Sequence, residues 1–133
     1  MSDSTETTMT VMGLVAAAKA RITNLNPEQV AEEIEGGDVL LVDIREPAEL
    51  EQAGHLPGAV QAPRGMLEFY ADPASPYHRE EFDPERRTIL YCASGGRSAL
   101  AADALRQLGY TNIAHLDGGF KAWSEQGRPV EKD

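Results

Sequence analysis

The sequence predicts an α/β fold, a three-layer α/β/α sandwich around a mostly parallel central sheet. Two observations carry that prediction. Three four-residue stretches, Val39–Val42, Thr88–Tyr91 and Ile113–Leu116, are largely apolar, too short for helices and bounded by turn residues, which is how strands covered on both faces read. Between them lie segments of helical periodicity, and strands that alternate with helices build parallel sheets.

Val11, Leu14, Val15, Ala18 and Ile22 recur at helical spacing and predict a first amphipathic helix over 8–21, which either packs on the domain or forms a dimer contact. Ile22–Leu25 reads as a short edge strand. Asn26-Pro27-Glu28 has the cap-then-proline order that opens a helix, and the pattern continues through Val30, Ala31 and Ile34 until Gly36-Gly37 stops it. After the Val39–Val42 strand, Glu46–Gln52 reads as helical, with Pro47 in the first turn, where a missing N–H costs little. Gly54–Gly58 is a loop and Ala59–Ala62 a brief strand. Pro63, Pro73, Pro76 and Pro84 break up residues 63–87 and leave one short helical stretch at Met66–Tyr70; a segment of this length either has a function or covers something. The Thr88–Tyr91 strand leads to a helix over Arg97–Leu108 that closes at Gly109. The Ile113–Leu116 strand leads through Gly118-Gly119 to a last helix over Phe120–Gln126.

A chain of 133 residues, 41% hydrophobic and 26% charged, is sized and composed for one globular domain rather than for disorder or a fibre. The apolar run Val11–Ala18 is far short of the roughly 20 residues that span a bilayer. MSDSTETT carries acids and no base, the wrong sign for a secretory leader, so a cytoplasmic location is expected. A net charge of −10 repels nucleic acid and anionic membranes, and neither is expected as a partner; an anionic ligand has to be captured by local design. A single cysteine excludes an internal disulfide and a multi-cysteine metal site, and no metal or cofactor is expected. Cys92 is therefore a packing residue or an active thiol.

Its position favours the active thiol. In open parallel sheets ligands bind outside the carboxyl ends of strands, and Cys92 follows Tyr91 at such an end. Ala93, Ser94, Gly95, Gly96, Arg97 and Ser98 then run into a helix, so unpaired amides and the positive helix end converge near the sulfur. Gly95 and Gly96 allow positive φ, which lets the backbone curl its amides inward. A helix terminus contributes about 0.3 to 2 kcal/mol toward an anion. Anything beyond that falls to Arg97 and the curled amides.

With this loop in place, the chain resembles the rhodanese-like domain, the sulfurtransferase module, in its single-domain form. The resemblance rests on LLVDIREPAEL (40–50), GHLPGAV (54–60), CASGGRS (92–98) and LDGGFKAW (116–123), in the family's order and spacing. It implies a rhodanese-like sandwich over 22–133, which leaves the helix read from periodicity as a helical extension over 1–21. It also implies that Cys92 accepts sulfur as the nucleophile, that amides from Ala93, Ser94, Gly95, Gly96 and Ser98 cradle the persulfide, and that Arg97 holds an anionic donor. Asp43, Arg45, His55 and Trp123 take structural roles in this pattern, and Asp117-Gly118-Gly119 a tight turn beside the active loop. Thiosulfate-type loops often carry a base directly after the cysteine, where this chain has Ala93. Arg64, Met66, Phe69, Tyr70, Tyr77 and His78, in the long segment, either wall the site or merely cover the surface.

The activity so implied moves sulfane sulfur from thiosulfate or another persulfide donor to a thiol or cyanide. A protein acceptor is also open, and no separate general base is needed if the thiolate is already formed. A non-catalytic carrier or regulatory module is the alternative. A phosphatase or arsenate reductase is a minor one, since those enzymes enclose five residues between cysteine and arginine where Cys92 and Arg97 enclose four.

Overall fold

The central sheet has five strands in the order β1-β5-β4-β2-β3, every neighbouring pair parallel. In this computed structural model, which describes residues 9–132, the elements are α1 (Val11–Lys19), β1 (Thr23–Leu25), α2 (Pro27–Gly36), β2 (Leu40–Asp43), α3 (Pro47–Ala53) and β3 (Val60–Gln61). They continue with a 3-10 turn (Arg64–Met66), α4 (Leu67–Ala71), β4 (Thr88–Tyr91), α5 (Gly96–Gln107), β5 (Ile113–Leu116) and α6 (Gly119–Glu125). The sheet is fully parallel, a stricter arrangement than the mostly parallel one expected.

Each central strand is buried along its whole length, which explains why it reads as an apolar run. Alternation still decides which layer each residue joins. Leu40, Val42, Leu90 and Ile113 pack with Leu67, Ala71, Ala101, Ala102 and Leu105 on the α4/α5 side. Leu41, Ile89, Tyr91, Ala114 and Leu116 pack with Val30 and Trp123 on the α2/α6 side. Cys92 continues the β4 alternation and falls with Leu90, on the side of α5.

Local chemistry sets the helix ends. The Thr10 hydroxyl accepts from the Gly13 amide at 2.9 Å and starts α1 at Val11. The expected start at residue 8 lies outside the described residues. Asn26 and Gln29 form a reciprocal capping box on α2, and Gly37, at φ 82°, ends it. α1 lies on α5 rather than on the sheet, through Val15 and Ala18 against Ala99, and Lys19 reaches Asp117 at 2.9 Å.

The segment 63–87 is irregular as expected. Its helix is α4, shifted by one residue and preceded by the 3-10 turn. Leu67, Ala71 and Phe82 anchor it in the core. Arg79 stacks over Tyr70, pairs with Glu81 and donates to the Gln61 carbonyl.

Candidate active site

β4 ends at Tyr91, and the next residue carries the thiol. Cys92 is 1% exposed, so its sulfur meets the interior rather than bulk water. Two main-chain donors point at Sγ: the Gly95 amide at 3.1 Å and the Ser98 amide at 3.3 Å. Gly95 sits at φ 109°, a left-handed conformation that aims its N–H at the sulfur and that a side chain would resist. Ser98 lies in the first turn of α5, where amides have no intrahelical acceptor, so the positive helix end faces the sulfur as well.

The carbonyls of the loop are drawn the other way. Phe120 and Lys121, in the first turn of α6, donate their amides to the oxygens of Cys92 and Ala93 at 2.8 and 2.9 Å. Gly119 makes that approach possible: a Cβ there would stand 2.6 Å from the Ala93 oxygen. The LDGGFKAW stretch therefore holds the back of the cysteine loop and leaves amide hydrogens on the sulfur side.

The structure brings Cys92, Gly95 and Ser98 together by direct contact, and places the remaining loop residues around them. Ser94 is exposed, and Ala93 and Gly96 are half-buried at the rim. Arg97 is half-buried, with Nη1 and Nη2 each 2.9 Å from a carboxylate oxygen of Glu49. Glu49, first of all, and the Cys92 sulfur to a smaller degree hold the guanidinium firmly charged. In turn Arg97 draws the Glu49 carboxyl down to about 2. Glu49 also accepts from the Glu46 amide at 2.9 Å, so one carboxylate both caps α3 and steadies the arginine.

Three residues of the site were not singled out in the sequence. Glu49 is one. The others are His115 on β5, whose Nδ1 lies 2.8 Å from Ser98 Oγ, and Asn24 on β1, whose Oδ1 lies 2.9 Å from His115 Nε2. Burial pushes His115 down to about 4, with Asp117 opposing and Lys19 adding to the effect. The cysteine loop itself lacks a histidine, yet the neighbouring strand supplies one beneath it.

The family motifs away from the loop form a separate polar knot. Arg45 and Asp43, 2% and 1% exposed at their side chains, pair at 2.8 Å. Tyr91 donates its hydroxyl to Asp43 at 2.7 Å, and Arg45 lies under the Phe120 ring and donates to the Gly54 carbonyl. His55 bridges to Glu131 through both main-chain groups, and its Nδ1 lies 2.9 Å from the Leu56 oxygen. Trp123 is buried and donates to the Pro129 carbonyl. In the long segment, Arg64 pairs with Glu68 and His78 Nε2 meets the Phe82 oxygen, while Phe69 and Tyr77 meet edge to face on the surface. Among the described residues no group of side chains is arranged to hold a metal ion, and no helix is long and apolar enough to cross a membrane.

The fold is a parallel α/β sandwich in which two main-chain amides face a buried cysteine at the end of a strand. The rhodanese-like domain model matches residues 26–126, and the chain belongs to that family. It is 41% identical over 93 residues to a sulfurtransferase of Allochromatium vinosum, covering 70% of this chain and 78% of that one. Among solved structures, a protein of unknown function and possible tyrosine phosphatase from Rhodopseudomonas palustris superposes with a TM-score of 0.88 at 39% identity. That match covers 93% of this chain and 96% of the other. The polysulfide-sulfur transferase of Wolinella succinogenes, a homodimer, superposes at 0.73 with 29% identity, over 90% of this chain and 85% of that one.

Proposed function

We propose that the protein carries sulfane sulfur on Cys92 as a sulfurtransferase. The observation behind this reading is the pair of main-chain hydrogens from Gly95 and Ser98 directed at one buried sulfur. An anionic sulfur there is stabilised without relying on the field of an acidic molecule. The thiolate attacks the outer sulfur of a donor such as thiosulfate. The Sγ–S bond forms, the donor S–S bond breaks, and sulfite leaves with the electron pair. A thiol or cyanide then attacks the outer sulfur of the persulfide, takes it, and returns Cys92 as the thiolate. This is ping-pong covalent catalysis and requires no metal.

Arg97, kept charged and oriented by Glu49, is the group assigned to hold the anionic donor, with Ala93, Ser94 and Gly96 forming the rim. Because Ala93 supplies no second cation, a persulfide or polysulfide donor suits the site at least as well as thiosulfate. A protein thiol is within the same chemistry as acceptor, and the cytoplasm is the location assigned.

The likeness to a possible tyrosine phosphatase favours one rival reading, phosphoester cleavage. The four residues enclosed between Cys92 and Arg97, where those enzymes enclose five, count against it. Turnover assays separate the readings. Thiosulfate with cyanide is expected to give thiocyanate with the wild type and none with Cys92→Ser. Hydrolysis of p-nitrophenyl phosphate without sulfur transfer would overturn the assignment, and single-turnover loading without turnover to any acceptor would mark a carrier.

A further inference from the structure

Beneath the cysteine, a chain of side chains crosses the sheet. The β1–β5 register sets Asn24 directly beside His115, the β5–β4 register sets His115 beside Leu90, and alternation turns the His115 ring toward α5, where Ser98 stands next to the sulfur. The protons along this chain follow from the hydrogen bonds. Asn24 gives its amide hydrogens to the carbonyls of Lys19 and Ile22, at 3.0 and 3.4 Å, so its Oδ1 is the atom facing His115. His115 Nε2 therefore carries the ring hydrogen and Nδ1 is a bare acceptor. A buried, unpaired Nδ1 would be costly, and among the described residues the hydrogen-bond partner within reach is the Ser98 hydroxyl, at 2.8 Å.

Ser98 has a single hydroxyl hydrogen and two acceptors beside it, His115 Nδ1 at 2.8 Å and the Gly95 carbonyl at 3.4 Å, while the Cys92 thiol, at 3.5 Å, donates to its Oγ. The shortest contact takes it, and the lone pairs of Oγ then face the sulfur. We propose that His115 is a positioning residue that holds the Ser98 hydroxyl away from Cys92, so that a thiolate receives no hydrogen from that hydroxyl while a thiol donates to Ser98. His115 and the thiolate thus compete for one hydrogen, and the histidine sets how readily the cysteine ionises.

Other charges bear on the same pair. Lys19 and Asp117, paired at 2.9 Å, flank His115 from α1 and the β5–α6 turn, and Arg97 with Glu49 flanks the sulfur from α5 and α3. Neither pair is altered by the substitutions compared below. The inference concerns the same sulfur as the proposed function and rests on that reading only for its catalytic meaning.

The test is the rate of alkylation of the full chain by iodoacetamide against pH, which reads thiolate without any sulfur transfer. His115→Leu removes the competing acceptor and is expected to move the midpoint of the profile down by about 0.5 to 1 pH unit, the worth of one ordinary hydrogen bond. His115→Asn restores an acceptor oxygen near the Nδ1 position and is expected to keep the wild-type midpoint. Ser98→Ala is expected at or below the wild-type midpoint, and adding His115→Leu to it is expected to change nothing further. An unmoved or raised midpoint in His115→Leu, or a raised one in Ser98→Ala, would overturn the proposal. Should His115→Leu fail to fold, Ser98→Ala and His115→Asn decide by the same criteria. Failure of sulfur transfer with these shifts intact would count against the function alone.

Discussion

The guanidinium of Arg97 closes on the carboxylate of Glu49 through two 2.9 Å hydrogen bonds, although 48 residues separate them in the chain. This pair ties the first turn of α5, which forms the cysteine cradle, to the first turn of α3. An arginine held in this way presents its remaining N–H groups in a fixed direction, which suits capture of an anion by an otherwise repelling molecule.

Removal of that cation is expected to weaken donor binding more than chemistry. Arg97→Ala should lower kcat/KM for an anionic donor by about 10- to 100-fold, the worth of one hydrogen bond to a charged group, chiefly through KM. Steady-state kinetics with thiosulfate checks this, and an unchanged kcat/KM would remove Arg97 from the site.

The same pair gives an acid-stability signature. Glu49 titrates near 2 in the folded protein against 4.5 as the ordinary value, because Arg97 favours its charged form. Its contribution is complete above pH 4.5 and is lost as pH falls toward 2. Glu49→Gln should therefore flatten the stability profile in that window, measured by urea unfolding at successive pH values.

His115 acts in a separate window. Folding holds it neutral down to about 4, against 6.5 for a free histidine, so the unfolded chain binds the extra proton between those values. Stability is complete above pH 6.5 and falls as pH drops to 4, by on the order of 3 kcal/mol at most. His115→Asn should remove this slope in the same titration, leaving the lower Glu49 window intact.

Gly119→Ala tests how the cradle is held. The added Cβ would stand 2.6 to 2.7 Å from the main chain of Cys92 and Ala93, at a position with φ 62°. About 1 to 3 kcal/mol of stability is expected to be lost to strain, with a larger proportional loss of sulfur transfer as the loop shifts. Thermal melting and single-turnover sulfur loading, measured together, check it.

Asp43 and Arg45 stabilise the sheet behind the site. Asp43→Ala leaves a buried guanidinium without its partner and should cost about 3 to 5 kcal/mol. Chemical denaturation reads this directly, and a loss below 1 kcal/mol would contradict the structural role.

Much of the fold was readable because burial on both faces writes β2, β4 and β5 as apolar runs, and because Asn26-Pro27 and Gly36-Gly37 punctuate α2. The cysteine loop was readable for a similar reason: the thiol, the two glycines and the arginine are contiguous. The rest depends on pairings between distant parts of the chain. Glu49 looks like an ordinary helix-surface acid until α3 is set beside α5, and Asn24 meets His115 only through the parallel pairing of β1 with β5. His115 alone carried a signal, as the one polar residue in the buried run IAHL, on the strand face that alternation assigns to α5. The shift of the short helix to Leu67–Ala71 reflects the 3-10 turn after Pro63, which no periodicity announces.

Intact mass spectrometry of the purified chain, before and after incubation with thiosulfate, tests the central claim most directly. The wild type is expected to gain one sulfur atom, removable by cyanide and absent in Cys92→Ser. A wild-type chain that gains no sulfur from thiosulfate or polysulfide, or a Cys92→Ser chain that gains one, would contradict it.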